Sequence, residues 1–234
     1  MKKNKAIIFD GDDTLWKTQE LYDDAKENFN RLMKSQGFNE DIVELLDEID
    51  MQRVEILKFS KSRFLESMLI TYVMLCGKYH KNWDIEVESK IRNIGESVFK
   101  FPPTLYEDTM ETLRVLSEHF SLVLFTNGDR KIQKKKIDSL GKEFKSYFEK
   151  IYIAEIKNEE EYGKIFNELG FSIQNVWVIG NSIKSDINPA LKLGLKAILI
   201  PRGTWKYEEE TSISDKIAIV SSLTEAKKLI LKNE

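Results

Sequence analysis

The chain has 234 residues, 41% hydrophobic and 32% charged, with 36 Lys and Arg against 39 Asp and Glu. The resulting formal charge of −3 gives no support for general nucleic-acid or anionic-membrane binding, and no apolar run approaches the ~20 residues of a membrane span. A single cysteine, Cys76, excludes an intramolecular disulfide and reads as a small core residue in the apolar run 68–76. The basic start, Met1-Lys2-Lys3-Asn4-Lys5, precedes an apolar stretch too short for a signal-peptide core, so a soluble, cytoplasmic chain is expected.

The first element is a strand over 5–9 that runs into Asp10-Gly11-Asp12-Asp13-Thr14. Three carboxylates within four residues repel one another and resist desolvation unless a cation sits among them. Asp10 and Asp12 are two apart, so on extended backbone they point to the same side. Gly11 between them permits close approach of backbone or ligand. Oxygen-only ligands at a strand end favour Mg²⁺. The same residues also spell a turn or helix N-cap, for which Asp13 and Thr14 are suited.

Residues 17–100 contain no proline and carry helical periodicity almost throughout. Leu21, Ala25, Phe29, Leu32 and Met33 recur three or four apart, as do Ile42, Leu45, Leu46, Ile49, Val54 and Leu57. Two further helices fit 64–76 and 85–99, with breaks expected near Gly37 and Gly77. Phe101-Pro102-Pro103 then stops helix. Beyond it the pattern alternates. Helices over 106–119, 132–140, 159–169 and 188–193 lead to strands over 121–125, 150–153, 176–179 and 195–200. A weak strand, 217–220, precedes a last helix, 223–231. Such alternation implies a parallel sheet covered on both faces, an α/β fold, with 17–100 as an all-helical insertion after the first strand.

In open parallel sheets ligands sit beyond the carboxyl ends of strands, and four expected strands end in polar residues suited to one chemistry. The first offers Asp10 and Asp12. The second ends Phe125-Thr126-Asn127-Gly128-Asp129, where a hydroxyl and backbone N–H groups before a glycine can hold a phosphate oxygen; the plain alternative is a turn. The third is followed by Lys157, a compact point charge able to meet a phosphate and an aspartate together, with Lys164 as its rival on the next helix. The fourth ends Ile179-Gly180-Asn181-Ser182-Ile183-Lys184-Ser185-Asp186, where Asn181 and Asp186 offer oxygens to a metal or its waters, or Ser185 or Asp186 caps a helix. The Glu159-Glu160-Glu161 run reads as a solvated first helical turn.

Taken in order, Asp10-Gly11-Asp12-Asp13-Thr14, Thr126, Lys157 and Gly180-Asn181-Ser182-Ile183-Lys184-Ser185-Asp186 resemble the four motifs of the haloacid dehalogenase superfamily. The resemblance implies a Rossmann-like parallel-sheet core, 1–16 and 101–234, and a helical cap, 17–100, like that inserted between the first two motifs in one large branch. Most members are phosphatases, which implies a Mg²⁺-dependent phosphatase of a small phosphorylated metabolite, working through an aspartyl-phosphate. Asp10 would be the nucleophile and Asp12 the acid and then base. Thr126, Asn127 and Lys157 would hold the phosphoryl group. Asp10, the Asp12 carbonyl, Asn181 and Asp186 would hold Mg²⁺.

Two details bear on the branch. Dehalogenases of the superfamily lack a carboxylate at the position of Asp12 and need no metal, so its presence favours phosphoryl transfer. Asn181 stands where the fourth motif usually carries Asp, which removes one negative charge from the metal site. The alternatives are other chemistry on the same scaffold (a phosphomutase, a phosphonate hydrolase using a cap lysine, or a 2-haloacid dehalogenase) or a non-catalytic binding protein. In the insertion, expected to close over the site and choose the substrate, Lys58, Lys61 and Arg63 are candidate contacts to a second anionic group. Trp16 lines the cleft or packs a hinge. The loop Pro201-Arg202-Gly203-Thr204-Trp205 also follows a strand end.

Overall fold

The strand Ala-Ile-Ile-Phe, β1 (Ala6–Phe9), has all four residues buried. Apolar side chains alternate to both sides of a strand, so both faces must be covered. The computed structural model of the chain describes residues 3–99, 101–203, 205–208, 210–215 and 217–232. Met1, Lys2, Lys100 and Thr204, named above, lie outside them. The chain divides into two compact units, Met1–Lys17 with Phe101–Glu234, and Thr18–Lys100.

The helical unit is built from α1 (Gln19–Ser35), α2 (Ile42–Leu57), α3 (Arg63–Lys78) and α4 (Ile85–Glu96). Its core joins Phe29 and Met33 of α1, Leu46 of α2, Met68, Tyr72 and Leu75 of α3, and Ile91 of α4. Side chains cap two helix starts: Asp41 accepts from the Glu44 N–H, and Asp84 from those of Glu86 and Val87. Each satisfies amides the helix itself leaves unpaired. Cys76 is buried. Gly37, at φ 80°, ends the first helix-to-helix segment. Gly77 does not break α3, which runs on to Lys78, because a glycine without a positive φ costs a helix only about 1 kcal/mol. Inside this unit lies a buried ion pair. Arg63 donates to Asp50 Oδ2, and the Ser67 hydroxyl donates to Asp50 Oδ1 at 2.7 Å.

The other unit continues from β1 through α5 (Thr109–His119), β2 (Ser121–Asn127), α6 (Arg130–Ser139), α7 (Gly141–Ser146), β3 (Phe148–Ala154), α8 (Glu159–Leu169), β4 (Val176–Gly180), α9 (Asn188–Lys192), β5 (Lys196–Leu199), β6 (Ala218–Ile219) and α10 (Leu223–Lys232). The strands form one six-stranded sheet in the order β3-β2-β1-β4-β5-β6, with every pairing parallel. Strand alternation sorts the core into two layers. Ile7, Phe9, Leu122, Leu124 and Ile179 pack with Leu113 and Leu116 of α5 and Ile230 of α10. Ala6, Ile8, Val123, Phe125 and Val178 pack with Tyr162 and Ile165 of α8 and Ala190 of α9. Burying each large aliphatic side chain here contributes about 1.5–3 kcal/mol.

Two local features differ from the periodicity-based expectation. The helix expected over 132–140 is followed by a second short helix, α7, which begins at Gly141 with φ 92°. Before α9 the backbone makes one wide π-type turn, Ile183–Ile187, in which the Asp186 and Ile187 N–H groups both bond the Ser182 carbonyl. Such turns recur at functional sites because they shift the side chains that follow.

Candidate active site

β1 stands between β2 and β4, so its carboxyl end is flanked by two other strand ends. The Asp10 N–H bonds the Ile179 carbonyl at 2.9 Å, tying the tip of β1 to β4. The chain then folds into a tight loop in which the N–H groups of Thr14, Leu15 and Trp16 converge on the Gly11 carbonyl. Asp13 takes φ 58° in this loop. A Cβ at Gly11 would lie 2.3 Å from the Trp16 indole, so only glycine admits this packing. Trp16 is fully buried and packs edge-on to Phe144. It belongs to the loop that carries the acids.

Lys157 follows β3, immediately before Asn158, whose side chain caps α8 by accepting from the Glu161 N–H. Its ammonium is buried, donating to Asp10 Oδ1 and, at 2.7 Å, to Asp186 Oδ1. Lys164 instead lies exposed on α8, paired with Glu160 and Glu161. Asp186 is held on every side. The Tyr162 hydroxyl donates to Oδ1 at 3.1 Å and the Ser182 N–H to Oδ2 at 3.1 Å. A Cβ at Gly180 would meet Asp186 Oδ2 at 2.2 Å, so glycine at the tip of β4 is what lets this carboxylate fold back. The helix cap in this segment is Ser182, which accepts from the Ser185 N–H.

Four buried oxygens in this region have no hydrogen-bond partner: Thr14 Oγ1, Gln133 Oε1 and, at the carboxyl ends of the neighbouring strands β1 and β2, Asp10 Oδ2 and the Thr126 hydroxyl. Buried polar atoms in folded proteins are nearly always satisfied, so the pair at the strand ends marks where a polar ligand belongs. Asn127 ends β2, half-buried, and Asn181 follows β4, also half-buried. Asp12 stands apart from the Asp10–Lys157–Asp186 cluster. Its Oδ1 accepts from Trp16 Nε1 at 2.7 Å and from Lys136 at 2.5 Å, and its Oδ2 accepts from Gln133.

Burial pushes Asp10 up to about 7; Lys157 pulls against the rise, and Asp186 and Asp12 add to it. Burial pulls the Lys157 ammonium down, but Asp10 and Asp186 outweigh it and hold the group above the usual lysine range. Burial, with Asp186 and Asp10 beside it, keeps the Tyr162 hydroxyl protonated well beyond the ordinary tyrosine range. Lys157 is therefore a fixed positive charge, and Asp10 is a carboxylate short of counter-charge.

The loop after β5 braces both acidic loops. Arg202 donates to the Thr14 carbonyl at 3.3 Å and lies over the Tyr106 ring. Glu208 accepts from the hydroxyls of Ser182 and Ser185, at 2.5 and 2.6 Å. Lys184 donates to the Tyr207 carbonyl at 3.0 Å. Sequence reading missed Gln133, Lys136, Tyr162 and Glu208. For the first two a signal existed: Gln133 and Lys136 share a face of α6 with Ile137 and Leu140, so polar residues interrupt an apolar stripe.

Of the positively charged candidates in the helical unit, Arg63 is buried against Asp50. Lys61 is exposed and lies over the Phe99 ring, and Lys58 donates to the Glu55 carbonyl.

The six-stranded parallel sheet carries the Asp10–Lys157–Asp186 cluster at its carboxyl edge, the α/β arrangement expected of a ligand-binding sheet. The family model for haloacid dehalogenase-like hydrolases matches residues 4–194, and the chain belongs to that family. Its curated relatives include the N-acylneuraminate-9-phosphatase of Homo sapiens, 34% identical over 99 residues, which is 40% of this chain and 39% of the relative. The chain thus matches well under half the length of that protein. The glyceraldehyde 3-phosphate phosphatase of Methanopyrus kandleri is 26% identical over 90% of each chain. Among solved structures, a haloacid dehalogenase-like family hydrolase from Xanthomonas campestris superposes with a TM-score of 0.79 at 22% identity, covering 99% of this chain and 96% of the other. Among the described residues, no helix is long and apolar enough to cross a membrane.

Proposed function

We propose that the chain is a Mg²⁺-dependent phosphatase of a small phosphorylated metabolite, acting through a phosphoaspartate on Asp10. One observation carries this reading. A buried carboxylate, Asp10, is gripped on one oxygen by Lys157 while its other oxygen has no partner, as does the buried Thr126 hydroxyl. The phosphatase names among the relatives support it. So does the carboxylate at Asp12, which favours phosphoryl transfer over dehalogenation.

In the first step the Asp10 carboxylate attacks phosphorus, the bond to the leaving oxygen breaks, and that oxygen takes a proton from Asp12. In the second, water attacks the phosphoaspartate, Asp12 takes its proton, and Asp10 leaves as a carboxylate with release of inorganic phosphate. Lys157 offsets charge on Asp10 and on the phosphoryl oxygens throughout. Thr126 and the Asn127 N–H hold phosphoryl oxygens.

The residues present fit a hard divalent cation. The donors are all oxygen, and Asp10 offers an uncommitted buried oxygen whose desolvation only a cation relieves. Among the described residues no three Asp, Glu, His or Cys side chains converge on one point, because Asp186 is turned onto Lys157, Tyr162 and the Ser182 N–H. Asp10, the Asp12 carbonyl and Asn181 would hold the ion, with Asp186 behind them. When bound, Mg²⁺ shields the attacking carboxylate from the phosphate's charge. We assign the helical unit, 18–100, as the cap that selects the substrate.

The test is phosphate release from a panel that begins with glyceraldehyde 3-phosphate and N-acylneuraminate 9-phosphate, with and without Mg²⁺. The expected result is Mg²⁺-dependent turnover by the wild type that is lost in Asp10→Asn. No release by the wild type from sugar, nucleotide or amino-acid phosphates in Mg²⁺ would overturn the reading.

A further inference from the structure

Helix α6, Arg-Lys-Ile-Gln-Lys-Lys-Lys-Ile-Asp-Ser, carries four lysines, at 131, 134, 135 and 136. Three are exposed. Lys136 alone is buried, beside Gln133 and Ile137. Gln133 and Lys136 are one turn apart and share a face, and that face meets the acidic loop. Lys136 donates to Asp12 Oδ1. Gln133 uses its amide nitrogen twice, on Asp12 Oδ2 and at 2.9 Å on the Asn127 carbonyl at the tip of β2. With Trp16 Nε1 on Oδ1, three donors from two segments hold one carboxylate.

Packing does not require this arrangement. An apolar residue at either position would fill the interior without the cost of desolvating an ammonium and an amide. A buried ion pair is also weak evidence for stability, since hydrophobic replacements often match it. What the pair does supply is direction. A side chain held by three donors keeps one rotamer, and a proton-transfer group must lie within hydrogen-bond reach of its target.

We propose that Lys136, backed by Gln133, is a positioning residue that fixes the Asp12 carboxylate where it exchanges protons with the leaving group. The inference rests on the phosphatase reading and adds to it a residue on α6 outside the four motifs. It acts through Asp12 and does not touch the reacting phosphorus.

The consequence is selective. A leaving group that is stable as an anion needs no proton, whereas an alkoxide does. The value of kcat/KM reports the steps up to phosphoaspartate formation, so there the two substrate types should separate. The experiment compares wild type, Lys136→Met, Lys136→Arg and Asp12→Asn on p-nitrophenyl phosphate and on an alkyl phosphate, in saturating Mg²⁺. For Lys136→Met the expected loss in kcat/KM is about 10²-fold on the alkyl phosphate and under about 3-fold on the aryl one, in the pattern of Asp12→Asn. On the alkyl phosphate the loss should fall on kcat with KM little changed, on the aryl phosphate kcat and KM should fall together because Asp12 also serves the hydrolysis step, and Lys136→Arg should recover part of the alkyl activity. Equal losses in kcat/KM on both substrates, or a change in KM alone, would overturn the positioning role.

A melting-temperature cycle over Lys136→Met, Asp12→Asn and the double variant gives a readout independent of turnover. Lys136→Met should lower Tm less in the Asp12→Asn background than in the wild type, and strictly additive shifts would overturn the pairing itself. A wild type inactive on both phosphates and on the sugar, nucleotide and amino-acid phosphates would overturn the phosphatase reading and the proton-transfer role with it, while the cycle still decides whether Lys136 holds Asp12.

Discussion

The two units each bury a cluster of opposite charges, and the carboxylates at their centres differ in how completely they are satisfied. In the helical unit Asp50 has a donor on each oxygen, Arg63 on one and Ser67 on the other. In the sheet unit Asp10 has Lys157 on one oxygen and nothing on the second, while the same lysine is shared with Asp186. A closed cluster specifies structure. An open one costs stability, and a fold keeps it only where a ligand completes it.

The comparison breaks most sharply at Asp10. The substitution Asp10→Asn should lower turnover by on the order of 10³-fold or more, since it removes the proposed nucleophile. The same substitution should stabilise the metal-free protein. Asp10 moves from 3.8 to about 7 on folding, so between those values the native state holds the extra proton and stability falls as pH rises. The gain in Tm from Asp10→Asn, measured in chelator, should therefore be greatest above pH 7 and fade toward pH 4. A Tm that is unchanged or lower at pH 8 would show that the cluster is not strained.

Arg63→Met should behave in the opposite way. It strands Asp50 without its counter-charge, a loss of about 3–5 kcal/mol, at roughly 2–4 °C per kcal/mol for a chain of this size. Replacing both partners, Asp50→Leu with Arg63→Met, should recover most of that loss in a thermal melt. The smallest expected effect is at Tyr162. Tyr162→Phe deletes one donor to Asp186 and should cost about 0.5–1.5 kcal/mol by denaturant titration. Because Asp186 then has less support, the proposed phosphatase activity should fall several-fold more than stability alone explains.

The helical and strand segments were largely legible because each carries its own period. Residues 42–57 repeat at three and four, and β1 is a short apolar run ending in turn-forming acids. A parallel sheet followed from strands and helices in alternation. Boundaries were less legible where backbone hydrogen bonding overrides period: Gly77 stays helical, α7 starts at Gly141, and a π-type turn precedes α9. The loop after β5 has no period, and its bracing of Thr14, Ser182 and Ser185 appears only in three dimensions.

By itself the sequence determined the α/β class, the sheet-forming runs, the family and the chemical types available at the strand ends, because these depend on local pattern and on the order of short motifs. Only the tertiary structure decided which groups meet. Lys157 and Asp10 are 147 residues apart, and Lys136 and Asp12 are 124 apart. The local pattern favours Lys157 by its place at a strand-to-helix turn and Lys136 by its place in an apolar stripe, but it does not say which carboxylate each lysine meets. Burial against a particular carboxylate decides that, and burial is a property of the packed chain.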